Sequence, residues 1–469
     1  MKFIYTIIIA LFFTGTVCAQ DKKQIGEKFQ FDVKYESDPQ FVLTDNYNAY
    51  LLSVVEVDGL ANGHHVIIRK FDQKSTMVNS YKCAFPKIDE STLCSYLGFT
   101  TSNTGKVAVF IEGHSGKAAK SELYKLEFDK TTEKFTTTVL ATHSIISLFK
   151  SGNASLQKSH NGRYVGIIYT EYREKEQPEK NTIIMLDAAT LSVAWQKQVA
   201  FENEFTSQNF VVTNSGKMVI ARDMKGSKKG ITYLAVVTAG EQEEKNFETQ
   251  VFLNEMMSVS IGSEDYLIAL NSDSKNFRSD YYNNLMLYDL KQGKVLNNNK
   301  IKEFATLKDL FSVSIRNITI QNNQIDIFTE ALTEVKTKPT SNNYMSTARL
   351  QKKYNFGPAY IFSMALDGQL KTPQKLTTET YNEAYLHHSF GFWNVKGTYY
   401  INTGAYMGVY TLNPVNLSFG SKAEDYLSSS LQGRYINQLF AYFPDSKTML
   451  VAAYLNDNQM SLIRVLGRD

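Results

Sequence analysis

The chain has 469 residues, of which 43% are hydrophobic, 13% aromatic and 21% charged, and its formal net charge is +3. This is the balance of an ordinary globular protein, and so small a net charge argues against a nucleic-acid binder that works by bulk electrostatics. A chain of this length usually forms two or more domains, unless a regular repeat lets it run as one unit.

The first residues predict a secretory signal peptide. Lys2 precedes an apolar run over residues 3–13, and the small residues Val17 and Ala19 suit a signal-peptidase site. We therefore expect cleavage after residue 19, which makes the product secreted or periplasmic.

Two kinds of membrane attachment are alternatives to release as a free chain. The apolar run is shorter than the roughly 20 residues of a membrane-spanning helix, and no later run matches it, so we expect no transmembrane segment. Cys18 could carry a lipid, but Thr16 and Val17 before it fit a lipoprotein cleavage site poorly. We expect no lipid anchor, and Gln20 to begin the mature chain.

A weak repeat covers the rest of the chain, and its clearest marker is a polar turn that leads into an apolar strand. Gly and Asn recur in these turns because they tolerate the positive φ of tight hairpins. Eight copies begin at Thr44, Ser102, Ser159, Thr213, Gly262, Gln321, Val395 and Pro444.

A second marker is an apolar strand that ends at an acidic or polar residue. Asp129, Asp187, Asp289 and Asp367 occupy this place. Since residues that recur at equivalent places in a repeat usually serve the repeat, we predict that they cap hairpins rather than catalyse a reaction.

Four-strand units with a period near 55 residues predict an all-β fold, a β-propeller of four-stranded blades over residues 20–469. We count eight blades, with seven as the alternative. The last unit lacks a fourth strand, and the alternating residues 29–35 are expected to pair with residues 460–466 and close the ring. The chain resembles exported β-propellers with degenerate blades, of the YVTN and quinoprotein-like superfamily, in architecture only; the resemblance implies the fold and no functional residue.

The two cysteines that follow the signal, Cys83 and Cys94, are eleven positions apart. A disulfide and two buried thiols are both open, because spacing alone does not show that the Cβ atoms come within bonding distance.

The long loops between the second and third strands of the middle units are the expected ligand site, since long loops on a rigid scaffold collect binding residues. They begin near Glu171, Arg222, Asn271 and Ala331. Their basic and aromatic side chains favour a polar ligand with flat or anionic surface. The candidate ligand-binding residues are Arg222, Lys225, Lys228, Tyr281, Tyr282, Tyr344, Arg349 and Tyr354.

No motif specifies a reaction. The chain has no GxSxG and no HExxH, its histidines are isolated or adjacent pairs, and we expect neither a metal nor a cofactor. The leading hypothesis is therefore a binding or scaffold protein, expected to be monomeric, that engages a protein, peptide or glycan. The alternative is a hydrolase or lyase acting on polysaccharide through acids of the same face, which include Glu171, Asp223, Asp273, Asp280 and Glu330.

Overall fold

The computed structural model describes most of the chain as β-strands joined by short connections. The described residues are 23–31, 36–56, 63–174, 177–202, 205–224, 230–247, 249–272, 284–305, 312–321, 323–335, 353–377, 381–384, 390–395, 398–403, 408–412, 419–425, 434–443, 448–456 and 459–466.

The strands form antiparallel sheets of consecutive strands, which are numbered here in chain order. Sheet 1 contains β2 (Glu36–Thr44), β3 (Asn48–Val55), β4 (His65–Asp72) and β5 (Met77–Ala84). Sheet 2 contains β6 (Leu93–Thr101), β7 (Lys106–Ser115), β8 (Lys120–Asp129) and β9 (Lys134–Ser144). Sheet 3 contains β10 (Asn153–Lys158), β11 (Tyr164–Thr170), β12 (Glu179–Asp187) and β13 (Ser192–Phe201). Sheet 4 contains β14 (Phe205–Val212), β15 (Met218–Met224), β16 (Ile231–Val237) and β17 (Gln242–Asn246).

The second half of the chain continues the same pattern with one irregular sheet. Sheet 5 contains β18 (Phe252–Ile261), β19 (Glu264–Ser272), β20 (Asn284–Asp289) and β21 (Lys294–Lys300), and the four-residue helix α1 (Lys302–Ala305) follows it. Sheet 6 contains β22 (Ser312–Gln321), β23 (Gln324–Val335), β24 (Lys353–Ala365), β25 (Gln374–Thr377) and β26 (Tyr381–Ala384), the last two both paired with β24. Sheet 7 contains β27 (Phe390–Val395), β28 (Thr398–Thr403), β29 (Gly408–Leu412) and β30 (Phe419–Asp425).

Sheet 8 combines the two ends of the chain. It contains β31 (Arg434–Phe443), β32 (Thr448–Asn456) and β33 (Gln459–Leu466), and β1 (Lys23–Gln30) pairs antiparallel with β33, Phe29 lying opposite Met460.

The predicted antiparallel pairing with the last strand is confirmed at Phe29 and Met460, but the strand lies earlier than predicted, at Lys23–Gln30. Residues 32–35 of the predicted segment lie outside the described residues. A register shift between Ile25 and Lys28 interrupts the alternation of β1 and hides it from the sequence.

The first strands of successive sheets contact one another from β27 through β31, β2, β6, β10, β14 and β18 to β22. The apolar core lies between the sheets: one cluster joins sheets 1 and 2 around Leu52 and Leu126, and another joins sheets 4 and 5 around Leu234 and Leu267. This is the arrangement of an all-β propeller, whose inner strands surround an axis, as the sequence predicted. Eight sheets occur in the described part of the chain; the blade count of a single ring, eight or seven, stays a prediction.

The polar turns of the repeat have the predicted chemistry. In three of them a hydroxyl accepts the backbone N–H at the start of the next strand: Ser102 from Lys106 at 3.0 Å, Ser159 from Tyr164 at 2.9 Å and Thr213 from Lys217 at 3.1 Å. The glycines that close these turns, at 105, 162 and 216, have positive φ.

The Asp series is confirmed as hairpin caps. Each carboxylate accepts a backbone N–H within its own turn: Asp129 from Thr131, Asp187 from Ala189, Asp289 from Gln292 and Asp367 from Gln369, at 2.8 to 2.9 Å. These side chains hold the turns between the third and fourth strands.

No helix among the described residues is long and apolar enough to span a membrane.

Candidate functional site

The strand ends that carry the long loops lie together at one end of four neighbouring sheets. In sheets 3, 4, 5 and 6 a long loop joins the end of the second strand to the start of the third. Because the strands are antiparallel, the first strand begins at this same end of the sheet. Because β10, β14, β18 and β22 are successive neighbours, these loops share one side of the molecule, which we name the loop face. The loops span residues 171–178, 225–230, 273–283 and 336–352.

The strands that carry these loops are longer than the sequence suggested. Arg222 lies inside β15, and residues 331–335 and 353–356, predicted to be loop, belong to β23 and β24. Val335 is the register partner of Lys353. The loop expected to begin near Ala331 is thus corrected: it begins after Val335 and ends before Lys353.

Most of the candidate ligand-binding side chains fall outside the described part. Tyr354 is described only as a backbone position in β24, opposite Glu334. The others outside it are Lys225, Lys228, Tyr281, Tyr282, Tyr344 and Arg349. Their roles stay predictions.

Arg222 is the one candidate whose side chain is described, and it is fully buried. Its guanidinium donates to the Tyr233 hydroxyl at 2.8 Å and to the Phe205 carbonyl at 3.0 Å, and it lies 3.8 Å from the centre of the Phe201 ring. Glu179 is 3.9 Å away and compensates its charge. Burial lowers the pKa of Arg222 from its ordinary value. The structure thus uses Arg222 in internal contacts, which the sequence did not indicate.

Glu179 connects two neighbouring sheets at the loop face. It begins β12 of sheet 3 and accepts the backbone N–H of Ser207, in β14 of sheet 4, at 3.1 Å. The Ser207 hydroxyl and the Asn181 amide donate to the same carboxylate. Such a carboxylate satisfies the backbone of the inner strand and holds two sheets together.

Glu255 forms an equivalent link between sheets 5 and 6. It lies in β18 and accepts from the Ser314 hydroxyl at 2.7 Å and from the Ile315 backbone N–H at 2.5 Å. Desolvation by burial raises the pKa of Glu255, although these hydrogen bonds oppose the shift. Next to it, the Arg316 Nε lies 3.2 Å from Glu330 Oε2. Two acids therefore flank one arginine at the inner strands.

A third acid and arginine occur in sheet 1. The Arg69 guanidinium donates to both oxygens of Glu36, one of them at 3.1 Å, and Ser53 donates to the same carboxylate. Arg69 also donates to the Gln30 carbonyl at the end of β1, at 3.2 Å. The contact ties the N-terminal strand to sheet 1.

Three exposed apolar side chains, Ile146, Phe149 and Tyr172, lie beside the loop of sheet 3. The connection from β9 to β10 contains a tight turn, in which Lys150 donates its backbone N–H to the Ser147 carbonyl at 3.0 Å. Phe149 at the tip of this turn is 98% exposed, and Ile146 is 64% exposed. Tyr172, in the neighbouring loop, is exposed and lies 5.3 Å below the Lys150 ammonium. We name Ile146, Phe149 and Tyr172 the Phe149 patch.

The histidines and cysteines show no site in the described residues. His114 Nε2 lies 3.4 Å from Glu112, and His143 stacks on Tyr169 at 3.9 Å, where burial lowers the pKa of His143. Within the described ranges no three His, Cys, Asp or Glu side chains could hold one metal ion. Cys83, which is partly buried, and Cys94, which is buried, are free thiols that pack in the same core cluster.

The fold is that of a β-propeller with long connections between the second and third strands of sheets 3 to 6. No family model matches the chain, and no curated protein matches it. Among solved structures the chain is similar to dihydro-heme d1 dehydrogenase NirN in complex with DHE, at 11% identity over 90% of this chain and 74% of that chain, with a TM-score of 0.42. It is also similar to the β-propeller domain of the Trilobed protease from Pyrococcus furiosus, at 13% identity over 84% of this chain and 99% of that one, with a TM-score of 0.37. Since both TM-scores are low, the activities of these proteins carry no argument for this one.

Proposed function

We propose that the protein is an exported binding or scaffold propeller that engages a protein, peptide or glycan partner through the loop face. The observation that carries this proposal is the Phe149 patch. A turn closed by backbone hydrogen bonds holds a phenylalanine ring outward, in contact with water over nearly all its surface. Burying such a ring against a partner would contribute about 1.5–3 kcal/mol.

The surroundings of the patch add polar contacts to its apolar surface. Lys150 and Glu174 form an exposed pair with 3.5 Å between Nζ and Oε1, and the strands of four sheets that carry long loops end on the same side. An exposed aromatic side chain with charged neighbours is typical of the anchors of protein interfaces. Export is supported by the predicted signal peptide, since cleavage after residue 19 leaves only residues 20–22 before β1.

The first prediction tests the patch. We expect the double variant Phe149→Ser with Ile146→Ser to lose partners that the wild-type chain retains in a pull-down from envelope extract. Its thermal midpoint should be unchanged, because neither side chain is buried. Val139→Ser with Val193→Ser is the matched control, since these exposed side chains lie on the outermost strands β9 and β13. N-terminal sequencing of the chain recovered from the envelope should begin at Gln20. If the double variant retains every partner of the control, the patch is not the binding surface.

A second candidate function is a hydrolase or lyase acting on polysaccharide, and the acids around Arg316 favour it. A carboxyl whose pKa is raised by burial, as in Glu255, can hold a proton and act as a general acid, with Glu330 as a second acid nearby. The second prediction is that, under this function, the wild-type chain releases reducing ends from at least one member of a polysaccharide panel and Glu255→Gln does not. Glu264→Gln is the control and should keep its activity, because Glu264 begins β19 at the end of sheet 5 away from the loop face. No release by the wild-type chain would remove this candidate.

A further inference from the structure

A buried histidine leads into the connection that carries most of the Phe149 patch. This β9–β10 connection spans residues 145–152, and His143 lies just before it, at the end of the outermost strand of sheet 2. His143 is the only buried residue of β9. Its imidazole lies against the Tyr169 ring of β11 in sheet 3, with 3.9 Å between the ring centres and 10° between the ring planes. Its Nε2 atom is buried and has no hydrogen-bond partner among the described residues.

Tyr169 anchors the β9–β10 connection to sheet 3. Its hydroxyl donates to the Ser151 carbonyl near the end of the connection. At the other end, Ile145 donates its backbone N–H to the Ala119 carbonyl at 3.0 Å. Since His143 precedes the connection and Tyr169 holds its last residues, the stack of the two rings joins its two ends.

The neighbouring strands of sheet 2 bring one acid and one further histidine to this face. In β8 the register partner of His143 is Ser121, which has no charge, and opposite Ser121 in β7 lies His114. Glu112 shares this face, because alternate residues of a strand point to the same side. The Glu112 Oε1 lies 3.4 Å from the His114 Nε2, so the contact of this acid is within β7.

The other charged groups near the stack belong to sheet 3 and to the connection. Burial, and after it the charges of Glu112 and Glu171, raise the pKa of Tyr169 to about 12. Lys150 belongs to the exposed pair on the loop face. For His143, burial is the cause of a lowered pKa. A second proton on the imidazole would place a charge and a new N–H donor where the described groups offer neither a counter-charge nor an acceptor.

The position of His143 on an outer strand gives the charged ring a way out. Ser144 beside it is exposed, and every other residue of β9 is exposed or half-buried. An outward movement would solvate the imidazolium and would remove the support of the Tyr169 ring. The connection would then lose the packing beside Ser151, and the tight turn would no longer hold Phe149 in one position.

We propose that His143 is a pH-sensitive switch: protonation of its buried imidazole breaks the stack on Tyr169 and releases the β9–β10 connection, so that the Phe149 patch loses its partner in acid. The inference rests on the proposed function where it names this patch as the binding surface, whereas the opening is a property of the chain alone. The closed position favours the neutral imidazole, so the open state binds its proton at higher pH. The closed state is therefore fully stable above the ordinary histidine pKa of about 6.5 and loses stability as the pH falls below it.

The third prediction is tested by hydrogen exchange of the chain without a partner. The amides of Ile145 and Lys150 are hydrogen-bonded in the closed connection, and their protection reports its opening. After correction for the intrinsic exchange rate at each pH, we expect constant protection of residues 145–152 above about pH 7 and a fall of up to about tenfold per pH unit below about pH 6.5. The amide of Lys217, bonded to Thr213 in a turn of sheet 4, is the internal reference and should show no such fall.

Two variants assign the effect to its residue. His143→Phe keeps a ring for the stack and removes the titration, so its protection should not vary with pH. His114→Gln is the control: it removes the neighbouring histidine, keeps an N–H donor for Glu112 and should show the fall of the wild type. If His143→Phe does not fold, His143→Gln takes its place, since an amide does not titrate either. Constant protection in the wild type overturns the switch, and so does a fall that persists in the His143 variant or disappears in His114→Gln.

Binding is measured separately, so that the switch and the proposed function can fail independently. A partner captured from envelope extract at about pH 7.5 should leave the wild-type chain in a wash at about pH 5 and stay on His143→Phe. If the wild-type chain captures no partner at all, the proposed function fails and the exchange measurement still decides whether the switch exists. If the wild type retains its partner at the lower pH, control of the Phe149 patch by His143 is overturned.

Discussion

At the scale of single residues, the buried acids near the loop face act as links between inner strands. Glu179 satisfies the backbone of Ser207 in the next sheet, and Glu255 satisfies that of Ile315. Removing one partner of such a buried charged pair typically costs about 3–5 kcal/mol, because the other charge stays behind without compensation. Arg222 is held by Glu179 and Tyr233 inside the structure. The predicted binding of a ligand by Arg222 would have to replace these two contacts.

Residues with local chemistry were predictable from the sequence, and residues with distant partners were not. The turn glycines and the Asp caps contact atoms two to four positions away, so the sequence around Asp187 contains all that determines its role. Arg222 was predicted to be a ligand residue because it begins a basic loop that also contains Lys225 and Lys228. Its burial depends on Glu179 and Phe201, whose approach is a property of the assembled sheets.

At the scale of secondary-structure elements, the N-terminal strand shows how a local irregularity misleads sequence analysis. The strand was placed by the alternation of residues 29–35, but β1 lies earlier and contains a register shift. Gly26 stands at this shift because a Cβ there would lie 2.4 Å from the Ser75 carbonyl oxygen. Phe29 and Phe31 are both buried against sheets 8 and 1, which explains why the alternation extends beyond the strand.

The fourth prediction concerns β1. A chain that begins at residue 32 should be less stable than the chain that begins at Gln20 by at least about 3 kcal/mol, since it loses two buried phenylalanines and the pairing with β33. Urea unfolding measures the difference. A chain that begins at Lys23 is the control and should match the longer chain, because it keeps the whole strand. Equal midpoints for all three chains would contradict the role of β1 in completing sheet 8.

At the scale of the whole molecule, the repeat predicted the architecture, and the variable loops predicted the position of the ligand site. The sequence indicated four-strand units and an all-β propeller because hairpin signals recur at a regular spacing, and sheets of consecutive strands follow from short turns. The sequence did not predict which exposed side chains lie on the loop face. Ile146 and Phe149 of the Phe149 patch lie in a short connection between sheets 2 and 3, whereas the sequence predicted the ligand site in the long loops.

The last prediction concerns the longest of these loops, between β23 and β24. Residues 337–351 can be deleted, and the remaining Lys336 and Lys352 replaced by Asn-Gly, because Val335 and Lys353 are register partners and a two-residue turn can join them. We expect a thermal midpoint close to that of the wild type, since each strand of sheet 6 is retained, together with weaker binding of the partner captured from envelope extract. A Gly-Ser segment of the original length is the matched control: it keeps the spacing and removes Tyr344 and Arg349, so it should bind as weakly as the deletion. Retention of every partner by both variants would show that this loop takes no part in binding, and unfolding of the deletion alone would show that the segment belongs to the sheet.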